Sequence, residues 1–210
     1  MLSGRPTRWW RYLGVPVGIA AGAVFAVWLR TSGGDALTLH RGERVDAAFT
    51  SRLDSAASPA PEAPRGHFLL VAFGYTYCPD VCPTTLLAVH QALERLGAGA
   101  ARVVPIFVTI DPARDTADRL RTYVENFDSR IRSVSDPAAV AQAVKAFRAR
   151  AEKRIISGDN YAMDHTAVLY VLDPERRVIA ALPETSPTLS ADIADALAGN
   201  PGFAMAAPAP

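Results

Sequence analysis

Residues 67–83 read HFLLVAFGYTYCPDVCP, and the fold turns on how that stretch is divided. From His67 to Phe73 the run is apolar without alternation. It is short enough for a strand and too apolar to face water on either side, which predicts a strand covered on both faces. Gly74 closes the run, and the next nine residues hold both cysteines of the chain, Cys78 and Cys82. Proline is comfortable at the first helical position but removes a bond deeper inside. Pro83 therefore predicts a helix starting there, with Cys82 near its cap and residues 78–81 in a loop or a separate turn. A strand running into a helix is where open α/β sheets present ligands and reactive groups.

The pattern repeats downstream. Leu86, Val89, Leu93 and Leu96 recur at helical spacing up to Gly97, and residues 103–110 form a second apolar run, interrupted by Pro105. Leu120, Val124 and Phe127 mark a second helix with Thr116 as its cap. Val140, Val144 and Phe147 mark a third behind Asp136-Pro137. Residues 167–172 read as a strand, 177–182 as its hairpin partner across 173–176, and Ser190 as the cap of a last helix running to about Leu197. Alternation followed by a terminal hairpin and helix implies an α/β fold in three layers, a central mixed sheet with helices on both faces.

Upstream, residues 12–29 read YLGVPVGIAAGAVFAVWL, carry no charge, and are long enough to cross a bilayer core. Arg5, Arg8 and Arg11 precede them and only Arg30 follows closely, which keeps residues 1–11 in the cytoplasm and sends the bulk of the chain to the other side. Trp9, Trp10 and Trp28 suit the headgroup level. A cleaved signal peptide is the alternative, with Ala21-Gly22-Ala23 as its site, but the apolar run continues past it to Leu29. The expected organisation is thus an anchor at 12–29, one folded domain over 30–199, and a disordered Ala/Pro-rich tail over 200–210. Within the domain, 31–35 is a short linker, 36–45 a hairpin turning near Arg41-Gly42, and 56–65 (AASPAPEAPR) a proline-rich surface excursion. The formal net charge is +1, and no run of Lys or Arg follows the first thirty residues. Nucleic acid is excluded as a partner on that ground.

Two cysteines rule out a framework of several disulfides and leave one pair to account for. At a helix start the free N–H groups and the macrodipole favour a thiolate, making each sulfur a better nucleophile and a better metal ligand. A stabilising disulfide is the bland alternative, but so short a loop constrains the unfolded chain little. Two thiolates do not complete a zinc site. Thiolates with an imidazole suit copper, since soft sulfur selects Cu(I) and imidazole also serves Cu(II). Of the four histidines, His40, His67 and His90 read as surface or boundary residues. His165 lies in Met163-Asp164-His165-Thr166, directly before a buried strand and after a polar connection containing Gly158 and Asn160. Such a loop can carry the imidazole over the cysteine turn, or the histidine can simply cap or pack. Met163 offers a thioether or core packing. Asp164 offers an orienting partner for the imidazole, and Asp80 either tunes charge near the sulfurs or satisfies turn N–H groups.

Three blocks in order, FGYTYCPDVCP at 73–83, VTIDPARDT at 108–116 and MDHTAVLYVLDP at 163–174, resemble the Sco/SenC family of copper-binding proteins of cytochrome c oxidase assembly. The resemblance covers roughly residues 67–182. It implies a thioredoxin-like domain behind one N-terminal membrane helix, with Cys78, Cys82 and His165 binding Cu(I) or Cu(II). It further implies delivery of copper to the centre of oxidase subunit II or another receiving protein, or reduction of that centre's cysteines. Asp111 and Asp115 match the middle block, and a structural role beside the site is expected of them. The chain departs from the family in a short 37–45 segment, in the excursion at 56–65, and in a lean stretch at 128–135 that leaves the sheet edge open. The competing reading is a membrane-tethered thiol–disulfide oxidoreductase using Cys78 and Cys82 without metal. Against it, redox thioredoxins carry C-x-x-C and a proline before the facing strand, where this chain has Asp164-His165-Thr166. A peroxidase lacks its proline-containing approach in 72–77, and a scaffold with a structural disulfide would have no use for His165.

Overall fold

The computed structural model describes residues 39–46 and 66–204, all within the larger of two compact units, Thr38–Pro210. The expected cytoplasmic segment 1–11, anchor 12–29, linker 31–35, excursion 56–65 and the tail beyond 204 lie outside the described residues. Among the described residues no helix is long and apolar enough to cross a membrane.

The apolar run becomes β1 (Phe68–Gly74), buried at every position. β2 (Val103–Thr109) pairs with it in parallel on one side, and β6 (Val168–Leu172) antiparallel on the other. β3 (Arg132–Val134) adds in parallel to β2, and β7 (Val178–Pro183) antiparallel to β6, giving the mixed order β3-β2-β1-β6-β7. β3 begins opposite Ile106, so one edge of β2 is open at Pro105, where a proline is tolerated. Helix α1 (Val81–Leu96) connects β1 to β2, and α2 (Ala117–Glu125) connects β2 to β3. Helices α3 (Pro137–Ala146) and α4 (Leu189–Ala198) follow β3 and β7. The unbroken burial of β1 and β2 means that both faces of the sheet are covered. Phe68, Phe73, Phe107, Phe147 and Tyr170 fill the core, with Phe73 and Phe147 edge-on at 5.5 Å. Each such side chain stabilises the fold by about 2 kcal/mol through burial.

Local chemistry sets most of the boundaries. Leu86, Val89 and Leu93 form the buried stripe of α1, which ends at Gly97 with φ +52°. Thr116 caps α2 by accepting from the Arg119 N–H at 3.3 Å, and Asp136 caps α3 by accepting from Ala139 at 2.8 Å. Three boundaries differ from expectation. Helix α1 begins at Val81 rather than Pro83, which the helix tolerates because its first N–H groups have no intrahelical acceptor. Helix α4 begins at Leu189, behind Thr188, so Ser190 is not its cap; Ser186 and Thr188 instead donate to Asp192 at 2.7 and 3.1 Å. Residues 39–46 do turn at Arg41-Gly42, but they run beside the start of β7 instead of folding onto themselves. Gly42 and Val45 donate to the carbonyls of Val178 and Arg176 at 2.7 and 3.0 Å.

Two further elements have no counterpart in the expectations from sequence. The lean 128–135 stretch supplies β3, which forms that edge of the sheet. The polar connection before residue 165 is a separate two-stranded sheet, β4 (Ala151–Ser157) with β5 (Asn160–His165). The expected tail also begins later than residue 200. Pro201–Ala204 form a helical turn, α5, whose Phe203 packs edge-on against Phe68 at 5.2 Å beneath the Arg102 guanidinium.

Candidate metal centre

The cysteine turn is held by backbone and by one buried carboxylate. A Cβ at Gly74 would lie 2.6 Å from Cys82 Sγ and 2.6 Å from the Phe107 ring, so only glycine lets α1 approach the end of β1 this closely. Cys78 N–H donates to the Tyr75 carbonyl at 3.1 Å, closing the turn. Asp115, fully buried, accepts from the Thr76 N–H at 3.1 Å, the Thr76 hydroxyl at 2.6 Å and the Thr109 hydroxyl at 2.6 Å. The structural role expected of Asp115 is therefore specific: it ties the loop before Cys78 to the end of β2.

Because α1 starts at Val81, the Cys82 N–H is one of its free donors, and it points at Cys78 Sγ at 3.5 Å. The two thiols are not equivalent. The hydrogen bond from Cys82 holds Cys78 well below the ordinary thiol range against the opposing effect of burial, with His165 and the Asp80 and Cys82 N–H groups adding to it. Cys82, 1% exposed, is driven far up by that same hydrogen bond to Cys78 and by burial. The pair titrates as a unit, and its asymmetry favours the negative charge on Cys78 and the proton on Cys82.

His165 is the last residue of β5, and its Nε2 lies 4.0 Å from Cys82 Sγ. Its Nδ1 lies 3.0 Å from the Thr166 carbonyl. A carbonyl only accepts, so Nδ1 carries a hydrogen, and in the neutral ring Nε2 is left with its lone pair toward the sulfurs. Burial disfavours the charged imidazole, but the contacts with Cys78 and the Thr166 carbonyl outweigh it and raise its pKa. Tyr75 stands edge-on to the ring at 6.3 Å. Cys78, Cys82 and His165 therefore meet at one place, drawn from a turn, a helix start and a hairpin. Zinc bonds sulfur at about 2.3 Å and imidazole at about 2.0 Å, so a separation of 4.0 Å is within the reach of a first-row metal ion held by both residues.

The other candidates fall elsewhere. Asp164 does not orient the imidazole: successive side chains on a strand point to opposite faces, and Asp164 pairs with Arg154 at 3.1 Å. Met163 is half-buried against the core. The Asp80 side chain makes no capping bond; its N–H serves Cys78 and its carbonyl accepts from Thr84. His40 places its N–H on Glu43, and His67 precedes β1. His90 meets Asp128 at 2.9 Å, and with Glu94 their ligand atoms lie within 4.8 Å of one another. Arg130 already supplies that cluster's cation, bonding Glu94 at 2.7 Å and Asp128 at 2.6 Å, and it pulls the Asp128 pKa far down.

Glu184 is a neighbour of the site that the sequence does not point to. It follows β7, its N–H bonds the Ala167 carbonyl at 3.0 Å, and its side chain is 2% exposed. Neither carboxyl oxygen has a hydrogen-bond partner. Thr85 on α1 is near enough to favour the carboxylate, yet its hydroxyl does not reach bonding geometry. Burial pushes the Glu184 pKa up to about 8, opposed by the charge of His165 and reinforced by that of Cys78. A single acidic residue after a strand gives no sequence signal for such a position.

Comparison with known proteins bears on this arrangement. A family model described as SCO1/SenC matches residues 38–198. A SCO2-like protein of Rickettsia prowazekii is 35% identical over 117 residues, covering 54% of this chain and 57% of the relative. The solved structure of Bradyrhizobium japonicum ScoI with copper bound is 36% identical, with TM-score 0.56, covering 61% of this chain and 84% of that one. The apo Sco1 protein from Thermus thermophilus is 29% identical, with TM-score 0.58, covering 79% and 99%. The chain spans about half the length of the curated relatives it matches.

Proposed function

We propose, for a chain that belongs to the SCO1/SenC family, that Cys78, Cys82 and His165 capture one copper ion and that the domain hands it on to the copper centre of cytochrome c oxidase. In this reading the domain is thioredoxin-like and is held to the membrane by residues 12–29, with the site on the extracytoplasmic side. The observation that carries it is the convergence of His165 Nε2 on the cysteine pair, 4.0 Å from Cys82 Sγ, with Nδ1 held on the Thr166 carbonyl. The copper-bound Bradyrhizobium relative supports the choice of metal. Capture has a defined proton cost. Cys78 already offers a thiolate, Cys82 must release its proton to become a ligand, and His165 must be neutral. Copper affinity should fall as pH drops and His165 takes up its proton.

The asymmetry of the pair supports a second reading, a thiol–disulfide oxidoreductase. Cys78, the more exposed thiolate, would attack, and buried Cys82 would resolve the mixed disulfide. One experiment separates the two. The full-length chain in detergent is reduced, given one equivalent of Cu(II), and desalted, beside His165→Ala. Retention of about one copper with thiolate charge-transfer bands, weakened or lost in the variant, upholds copper capture. Neither protein holding copper, while wild type reduces a disulfide substrate, gives the site to the second reading.

A further inference from the structure

The hairpin that carries His165 has little apolar surface of its own to hold it in place. β4 and β5 pair with each other and join neither the five-stranded sheet nor any extensive contact with a helix. Every residue of β4 after Ala151 is exposed, including Ile155 and Ile156. A lone two-stranded hairpin is marginal in water, so its station over the cysteine turn must come from a few specific contacts.

Ala151 and Met163 pack against the core and Tyr75 meets the Met163 backbone, and the side-chain contacts that reach β5 from the end of β2 converge on Arg114, in the loop between β2 and α2. Its Nη1 donates to the Tyr161 carbonyl on β5 at 3.0 Å, and its guanidinium carbon lies 3.6 Å over the Tyr161 ring. The same group lies 4.6 Å over Tyr77 and 5.8 Å over Tyr75, both in the cysteine turn. Its Nε bonds Asp111, and the other oxygen of Asp111 accepts from the Tyr161 hydroxyl at 3.0 Å. Asp111 is buried, and its N–H is held by the Thr109 hydroxyl at 3.0 Å at the end of β2. One planar cation thus touches the rigid sheet end, the cysteine turn and the histidine hairpin. Lys153 also reaches the Tyr161 ring, at 3.8 Å, but from within the hairpin, so it ties β4 to β5 and neither to the core.

We propose that Arg114 is a positioning residue for copper capture: it fastens the β4–β5 hairpin to the cysteine turn and so sets where His165 Nε2 stands relative to the two sulfurs. This rests on the copper reading above. An ammonium group cannot replace the guanidinium, because stacking on a ring while donating in its own plane requires a flat fork.

The test uses full-length protein and the variants Arg114→Gln, Arg114→Lys and Arg154→Gln, the last breaking an exposed ion pair internal to the hairpin. Amide exchange is first measured on the reduced, metal-free proteins. Arg114→Gln should speed exchange over residues 151–165 by at least about tenfold, equivalent to about 1.4 kcal/mol of closure, while β1, β2 and β6 stay protected. Arg114→Lys should recover little of the protection, and Arg154→Gln should resemble wild type. With Cu(II) added, Arg114→Gln should keep its thiolate-to-copper bands but shift them toward those of His165→Ala. Unchanged exchange in the hairpin overturns the proposal, as does loosening of the whole domain alike, or a loosened hairpin with a wild-type copper spectrum. A wild type that holds no copper overturns the copper reading itself, while selective loosening of the metal-free hairpin would still uphold the fastening.

Discussion

Glu184 makes stability depend on pH in a direction opposite to that of most carboxylates. Its carboxyl titrates near 4.5 in an open chain and at about 8 in the folded protein, because burial disfavours the charged form. Below pH 4.5 it is protonated in both states and subtracts nothing. Between 4.5 and 8 the unfolded chain ionises while the folded one must stay protonated or place a charge in a site with no hydrogen-bond partner. Folding stability therefore falls as pH rises, by about 1.4 kcal/mol per pH unit and up to roughly 5 kcal/mol across the window. Glu184→Gln removes the titration and keeps the shape. The assay is urea unfolding of the reduced, metal-free protein from pH 4.5 to 8.5, read as the difference between variant and wild type. Cys78 and His165 also make stability depend on pH in this range, Cys78 adding stability as pH rises and His165 losing it, and the difference between variant and wild type removes the part of their contribution that does not depend on Glu184. The two proteins should be similar at pH 4.5, with the variant more stable by several kcal/mol at pH 8.5. Parallel curves at all pH values would refute the reasoning, since they would mean the carboxyl ionises in the folded protein as easily as in the open chain.

The asymmetry of the thiols predicts their alkylation: iodoacetamide at pH 6 should modify Cys78 and spare Cys82, at a rate nearly flat from pH 5 to 8. Peptide mass spectrometry assigns the site, and a Cys78 rate rising tenfold per pH unit would show an ordinary thiol instead. Gly74→Ala should destabilise the protein by about 1–3 kcal/mol, because the new methyl would sit 2.6 Å from both Cys82 Sγ and the Phe107 ring. Urea unfolding measures the loss, and a variant as stable as wild type would mean that α1 moves away without cost.

The parts of the fold legible in the sequence are those whose signal is local. β1 and β2 announce themselves because a strand buried on both faces needs an unbroken apolar run, and α1, α2 and α3 because their stripes and caps lie within a few turns of one another. The β4–β5 hairpin leaves no such trace. β4 reads AEKRIIS, and with six of its seven residues exposed nothing imposes an alternation. The same geometry explains the failure of Asp164 as the partner of His165. Once 160–165 is a strand rather than a loop, neighbours in sequence face opposite ways, and the carboxylate turns to Arg154.

The site divides along the same line. Cys78 and Cys82 are placed by what surrounds them in sequence: the end of β1, a glycine that admits close packing, and the first turn of α1. Their spacing and neighbours are therefore enough to mark them as a reactive pair, with redox and metal chemistry both open. His165 is placed by contacts that sequence spacing does not encode, for Arg114 grips β5 at Tyr161 from 47 residues away. That is why the residues alone leave the imidazole free to cap or pack, and only the resemblance of three separated blocks singles it out. Glu184 is the extreme case, since its pKa is raised chiefly by the packing around it rather than by any neighbour in the chain. A carboxylate acquires that property only when helix and sheet close over it. Sites assembled from both kinds of residue are read from sequence in proportion to how much of their geometry the backbone settles locally, and here that share is the pair of sulfurs.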